Sequence, residues 1–156
     1  MTEERDLRAI VARLASRMQG RRGALLPLLH AIREEVGHVP DEAVPYIASG
    51  LNLSRADVHG VITFYHDFRR SPAGAHVVKL CRAEACQARG GGAIETAAAE
   101  RLGVAMGSTR ADGQVTLEPV FCLGLCATGP NALVDGRPVS RIDTAALERI
   151  AISVSA

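Results

Sequence analysis

Cys81-Arg82-Ala83-Glu84-Ala85-Cys86 and Cys122-Leu123-Gly124-Leu125-Cys126 hold the only four cysteines of the 156-residue chain. Each pair opens where an apolar run ends. His76-Val77-Val78-Lys79-Leu80 leads into Cys81, and Val115-Thr116-Leu117-Glu118-Pro119-Val120-Phe121 leads into Cys122. Both runs predict strands. Cysteines at the ends of two strands, with loops that curl back to supply a second sulfur each, can converge on one metal centre. That convergence also decides topology. Strands whose C-terminal ends are neighbours run parallel, and a parallel pair needs a crossover, here the helix predicted over residues 93–102. Ala132-Leu133-Val134-Asp135-Gly136-Arg137-Pro138-Val139 then predicts two short strands around an Asp-Gly hairpin turn. Asp143 is placed to cap a final helix carrying Leu147, Ile150 and Ile152.

Four cysteines serve three chemistries. Two disulfides need an oxidising compartment, and Met1-Thr2-Glu3-Glu4-Arg5-Asp6 shows neither the basic nor the apolar region of a secretory leader. Structural zinc uses tight C-x2-C knuckles most often, although wider loops occur. A [2Fe–2S] cluster takes two thiolates on each iron, and loops of three and four residues suit that wider object. Spacing alone leaves zinc and the cluster both open. The bare C-x-x-C of disulfide exchange is absent.

Together with Gly37-His38-Val39-Pro40-Asp41-Glu42-Ala43 and Val61-Ile62-Thr63-Phe64-Tyr65-His66-Asp67-Phe68, the two cysteine segments resemble the thioredoxin-like [2Fe–2S] ferredoxin family. That family includes the 24-kDa subunit of NADH:quinone oxidoreductase and its relatives in NAD-linked formate dehydrogenases and hydrogenases. The likeness runs from about Ala24 onward. It implies a [2Fe–2S] cluster held by Cys81, Cys86, Cys122 and Cys126. It also implies a partner subunit that binds flavin and NAD. The cysteine segments look most like the gamma subunit of soluble NAD-dependent formate dehydrogenase, whose further partner is an iron–sulfur subunit with catalytic molybdenum or tungsten. The equivalent subunits of NADH:quinone oxidoreductase and of NAD(P)-linked hydrogenase are the alternatives, and a zinc-stapled interaction module is a minor one. The βαβ-ββα order read from the residues is the thioredoxin-like order. The expected fold is therefore α+β, a helical module over residues 1–72 followed by a thioredoxin-like domain over 73–156.

In the first half, Leu7, Ile10, Val11, Leu14 and Met18 recur at helical spacing. A second helix is expected from about Ala24 to Val36, with Pro27 in its first turn and Gly37 as left-handed cap. A third begins at Pro40-Asp41-Glu42 and stops near Gly50. Ser54-Arg55-Ala56-Asp57 forms a capping box, with Asp for the usual Glu, ahead of a fourth helix through Val58, Val61, Ile62 and Tyr65. Ser71-Pro72-Ala73-Gly74 reads as a linker. His30, His38, His59 and His66 show no i, i+4 metal pair and read as core or surface polar groups. Phe64 and Phe68, at i, i+4, are expected either to pack on one helix face or to form a docking corner for a partner.

Composition narrows the function classes. Lys and Arg number 18 against 17 Asp and Glu, and the two halves are each nearly balanced, so no nucleic-acid partner is expected. No apolar run approaches the ~18 residues of a membrane span, so no direct membrane contact is expected. With no leader and reduced thiols, the expected location is the cytoplasm. Arg89-Gly90-Gly91-Gly92 matches neither a dinucleotide nor a phosphate loop and reads as a turn from Cys86 into the crossover helix. No residue set is assigned catalysis. The chain reads as a non-catalytic one-electron carrier within an oxidoreductase complex.

Overall fold

The computed structural model describes residues 2–154, with side chains from Asp6 onward. The chain divides into two compact units at Pro72 and Ala73, each with its own apolar core.

The first unit is helical. α1 (Thr2–Ser16), α2 (Leu25–Val36), α3 (Val44–Leu51) and α4 (Arg55–Phe64) surround a core built on Val11, Leu28, Leu29, Ile32, Ile47 and Val58. Gly37 takes φ 87° and its N–H closes on Arg33 O, ending α2 as the sequence predicts. The Ser54–Asp57 capping box is fully formed at the start of α4. Two expectations are corrected. α3 does not begin at Pro40. Asp41–Ala43 makes a 3₁₀ turn and the α-helix starts at Val44, because Pro45 cannot donate to the Asp41 carbonyl and is accepted only in a first turn. Nor do Phe64 and Phe68 share a helix face. α4 stops at Phe64, which is 73% exposed, whereas Phe68 lies beyond the helix, is 4% exposed, and meets the His30 ring edge-on at 5.0 Å.

The second unit is a five-stranded sheet in the order β2 (Ser108–Thr109), β3 (Val115–Val120), β1 (His76–Cys81), β4 (Asn131–Val134) and β5 (Arg137–Ser140). β1 (His76–Cys81) and β3 (Val115–Val120) run parallel, with Cys81 opposite Val120 and Lys79 opposite Glu118, whose charged ends lie 3.6 Å apart. The connection between them contains α5 (Glu84–Gln87) and α6 (Gly91–Leu102), the latter being the predicted crossover. β4 (Asn131–Val134) and β5 (Arg137–Ser140) form the predicted hairpin, with Asp135 and Gly136 both at positive φ. α7 (Thr144–Ser153) is capped by Asp143, whose carboxylate accepts from Ala146 N at 2.7 Å. Ile152, assigned to its apolar face, is instead 65% exposed. The core joins Val78 and Leu80 of β1 and Val115 and Leu117 of β3 to Leu102 of α6 and Leu147 of α7. The short α5 and one strand were not anticipated. β2 (Ser108–Thr109) pairs antiparallel with β3, and two exposed polar residues carry no alternation from which to read a strand. Among the described residues, no helix is long and apolar enough to cross a membrane.

Two outcomes follow from this architecture. Residues 73–156, expressed alone, are expected to unfold cooperatively, since the second unit has a complete core; a fragment without a cooperative transition would mean that the halves share one. The second outcome concerns Asp135. Burial pushes its carboxyl up, but the His76 ring nitrogen at 2.8 Å, the Val77 N–H at 2.8 Å and the charges of His76 and Arg137 outweigh it, so its pKa lies below the ordinary value. A carboxyl in the unfolded chain titrates near ~3.9, above the folded value. The stability Asp135 contributes is therefore whole above about pH 4 and is lost as pH falls through the lower folded pKa. Asp135→Asn, which tolerates the same left-handed turn, is expected to flatten the acid limb of urea-midpoint against pH.

Candidate functional site

The parallel register brings both cysteine loops to one end of the sheet. Cys81 is the last residue of β1, and Arg82 N continues the pairing by donating to Val120 O at 2.8 Å. From there the chain enters α5, a single turn that buries Cys86 at 1% exposure. On the other side Cys122 lies just past β3 at φ 80°, a left-handed conformation that costs an L residue of order 1–2 kcal/mol. That turn lets the loop double back, and Gly124 N–H meets the Cys122 sulfur at 3.4 Å. A 3₁₀ turn over Cys126–Thr128 then sets the Cys126 sulfur 3.6 Å from that of Cys122.

The sulfurs stand two by two. Cys81 and Cys86 are buried and within hydrogen-bonding reach of each other, while Cys122 and Cys126 are exposed. Among the described residues, no three Cys, His, Asp or Glu side chains gather about a point that would hold a single ion. The electrostatics interlock the pairs. Burial disfavours the Cys81 thiolate, yet the Ala83 N–H, the Cys86 thiol and the Cys122 and Leu123 N–H groups outweigh it, so the Cys81 thiol lies below its ordinary pKa. Two of those donors come from the opposite loop. Cys86 moves the other way, raised by burial and by the Cys81 sulfur against the lowering effect of Asn131. Cys126 is raised chiefly by Cys122, as hydrogen-bonding partner and as charge.

Three residues frame the sulfurs: Gly129, where the sequence already points to a small residue beside the second cysteine pair, and Arg89 and Asn131, whose side-chain roles it does not show. Gly129 passes so close that a Cβ there would lie 3.2 Å from Cys86 Sγ and 3.4 Å from Arg89 Cδ. Arg89 reaches across to donate to Ala127 O at 3.0 Å, joining the first loop to the second. Asn131, 2% exposed, sits between them with its amide on Leu125 O and Cys86 Sγ. The signal that could have found Asn131 is a polar residue opening an otherwise apolar strand. Gly91, by contrast, plays the expected turning role, since a Cβ would meet Cys86 O at 2.7 Å. Arg82 pairs with Glu95 of α6 at 2.9 Å, and Glu84 is exposed.

The model of thioredoxin-like [2Fe–2S] ferredoxins matches residues 11–154. The chain belongs to that family. Its cofactor is a [2Fe–2S] cluster. Over 114 residues the chain is 39% identical to an NADH-quinone oxidoreductase subunit of Escherichia coli (strain K12), covering 73% of this chain and 69% of that one. The corresponding protein of Pseudomonas aeruginosa is 37% identical over the same lengths. Among solved structures the chain resembles NAD+-reducing [NiFe]-hydrogenase in the air-oxidized state, with TM-score 0.70 and 22% identity over 85% of this chain. It spans 23% of that hydrogenase chain, and the likeness speaks for the fold alone.

The local geometry fits this cofactor. Two sulfur pairs face one another with main-chain N–H donors around them, and a glycine opens the approach to Cys86. Gly129→Ala is therefore expected to weaken cluster retention about tenfold or more. The readout is iron released to a chelator over time from anaerobically purified protein; release at the wild-type rate would show that the added methyl is accommodated.

Proposed function

We propose that Cys81, Cys86, Cys122 and Cys126 ligate the cluster and that the chain is the electron-transfer subunit of an NAD-linked oxidoreductase complex. The observation that carries this reading is the placement of all four sulfurs at the end of one parallel strand pair, one pair buried and the other open to solvent. When bound, such a cluster accepts and returns a single electron. The chain's own residues position it. β1 and β3 hold the loops together, and main-chain N–H groups surround the sulfurs. The exposed edge at Cys122 and Cys126 offers a short path to a partner.

The proposed partner is a flavin- and NAD-binding subunit, with which the chain exchanges electrons one at a time in the cytoplasm. No residue is assigned a catalytic step. For the whole assembly, the likeness of the two cysteine segments supports an NAD-dependent formate dehydrogenase, with an iron–sulfur subunit carrying molybdenum or tungsten as the terminal partner. A second reading, the equivalent subunit of an NADH-quinone oxidoreductase, draws support from the 39% identity to the Escherichia coli protein.

Anaerobically purified chain is expected to contain about two irons and two sulfides and to give a paramagnetic signal on reduction with dithionite. NADH alone is expected to leave it oxidised, and addition of the co-purifying flavin subunit to make reduction possible. Assay of the native complex with formate and with quinone separates the two assemblies. Reduction of the isolated chain by NADH would overturn the carrier reading, and zinc in place of iron would overturn the ligand assignment.

A further inference from the structure

Two polar side chains are buried among the described residues, Thr116 and Asn131. Thr116 serves the sheet, accepting from Gly74 N at 2.7 Å and meeting the Thr109 hydroxyl at 2.8 Å. Asn131 serves the sulfurs. It opens β4, and β4 pairs antiparallel with β1 so that Ala132 faces Leu80. This register sets Asn131 beside the end of the strand that delivers Cys81. Its carboxamide nitrogen lies 2.7 Å from Leu125 O and 3.6 Å from Cys86 Sγ. An amide nitrogen carries two hydrogens, so one can serve each acceptor. The orientation is fixed by chemistry. Turning the amide over would set Oδ1 against the Leu125 carbonyl and would remove the acceptor that lies 3.3 Å from Thr128 Oγ1. The Thr128 hydroxyl has one proton and also faces Leu125 O at 3.0 Å and Ser140 Oγ at 3.1 Å, so it supports the network without deciding the amide's direction. The main-chain N–H of Asn131 lies on the same Cys86 sulfur.

We propose that Asn131 is a positioning residue for the redox centre: one hydrogen of its carboxamide ties down the Cys122–Cys126 loop at Leu125, and the other donates to the Cys86 sulfur and raises the reduction potential. This rests on the proposed role of Cys86 as a ligand. A donor on a ligating sulfur withdraws electron density from it and favours the state that holds the extra electron. Because the same nitrogen grips the opposite loop, the donor stays aimed only while both loops are in place. Loop geometry and potential are thereby coupled through one side chain.

The test uses the full-length chain, reconstituted anaerobically with iron and sulfide, and reads the oxidised-to-reduced ratio from the visible spectrum at the poise where wild type is half reduced. Asn131→Asp is isosteric but replaces the donor by an oxygen, and Asn131→Ala removes the donor. Both are expected to raise the ratio severalfold, the aspartate more; a tenfold rise corresponds to 59 mV for one electron. Thr128→Val, which keeps the amide, is expected to stay within about twofold of wild type. Wild-type ratios in loaded Asn131→Asp and Asn131→Ala overturn the proposal. If neither variant loads a cluster, Asn131→Ser decides: loading with this smaller donor supports a donor requirement, and failure of all three reduces Asn131 to packing. Cys86→Ala separates the underlying assumption, because a wild-type spectrum in that variant removes the ligand role of Cys86 whatever Asn131 does.

Discussion

The parallel pairing of β1 with β3 is the constraint on which the second unit depends. It places Cys81 opposite Val120, so that the two chains leave the sheet side by side and in the same direction. A parallel pair cannot be closed by a tight turn, and the chain must cross the sheet before returning. α6 makes that crossing and brings Ala98 and Leu102 into the core. The same crossing starts from Cys86, where Gly91 must have no side chain for the helix to begin so close to the cysteine's carbonyl. Placement of the cysteines and formation of the core are therefore one problem. A change of register by one residue would turn Val78 and Leu80 out of the core and send Cys81 to the other face of the sheet.

Around the sulfurs, hydrogen bonding is provided mostly by main chain. Ala83, Cys122 and Leu123 direct their N–H groups at Cys81, and Gly124 at Cys122. Only a change to proline removes a main-chain donor, and otherwise these donors stay in place while side chains vary. The side chains that take part, Arg89 and Asn131, act between the loops rather than within one. The left-handed Cys122 serves the same close packing. Its strain is held because strand β3 fixes one side of the residue and the Cys126–Thr128 turn fixes the other.

Much of this was legible in the sequence because it depends on local chemistry or on a single geometric demand. Gly37, Ser54, Asp135-Gly136 and Asp143 each announce a cap or turn whose hydrogen bonds close within a few residues. The parallel pair followed from requiring two cysteine-bearing strand ends to meet. What stayed hidden is decided by contacts distant in sequence. α5 is four residues long, too short to nucleate alone, and exists because its Cys86 is packed from across the fold. Phe68 is buried against His30 of α2, whereas helical spacing pointed it at Phe64. Arg82 follows Cys81 directly in sequence, yet its guanidinium pairs with Glu95 on α6. Asn131 carries no motif at all. Its meaning depends on Leu125 and Cys86 arriving together.

The unequal burial of the two sulfur pairs gives the centre an inside and an outside. Cys81 and Cys86 are fixed to a strand and a packed turn and are closed to solvent, whereas Cys122 and Cys126 ride on a loop in open water. With the four cysteines as the proposed ligands, any oxidant, chelator or delivery protein arriving from solution meets the outer sulfurs first. Assembly and decay of the centre should then share one direction, with the inner pair as the anchor that holds first and releases last. The surface proposed to pass an electron is then also the surface from which the centre would be taken apart, so a partner seated there would act as its shield.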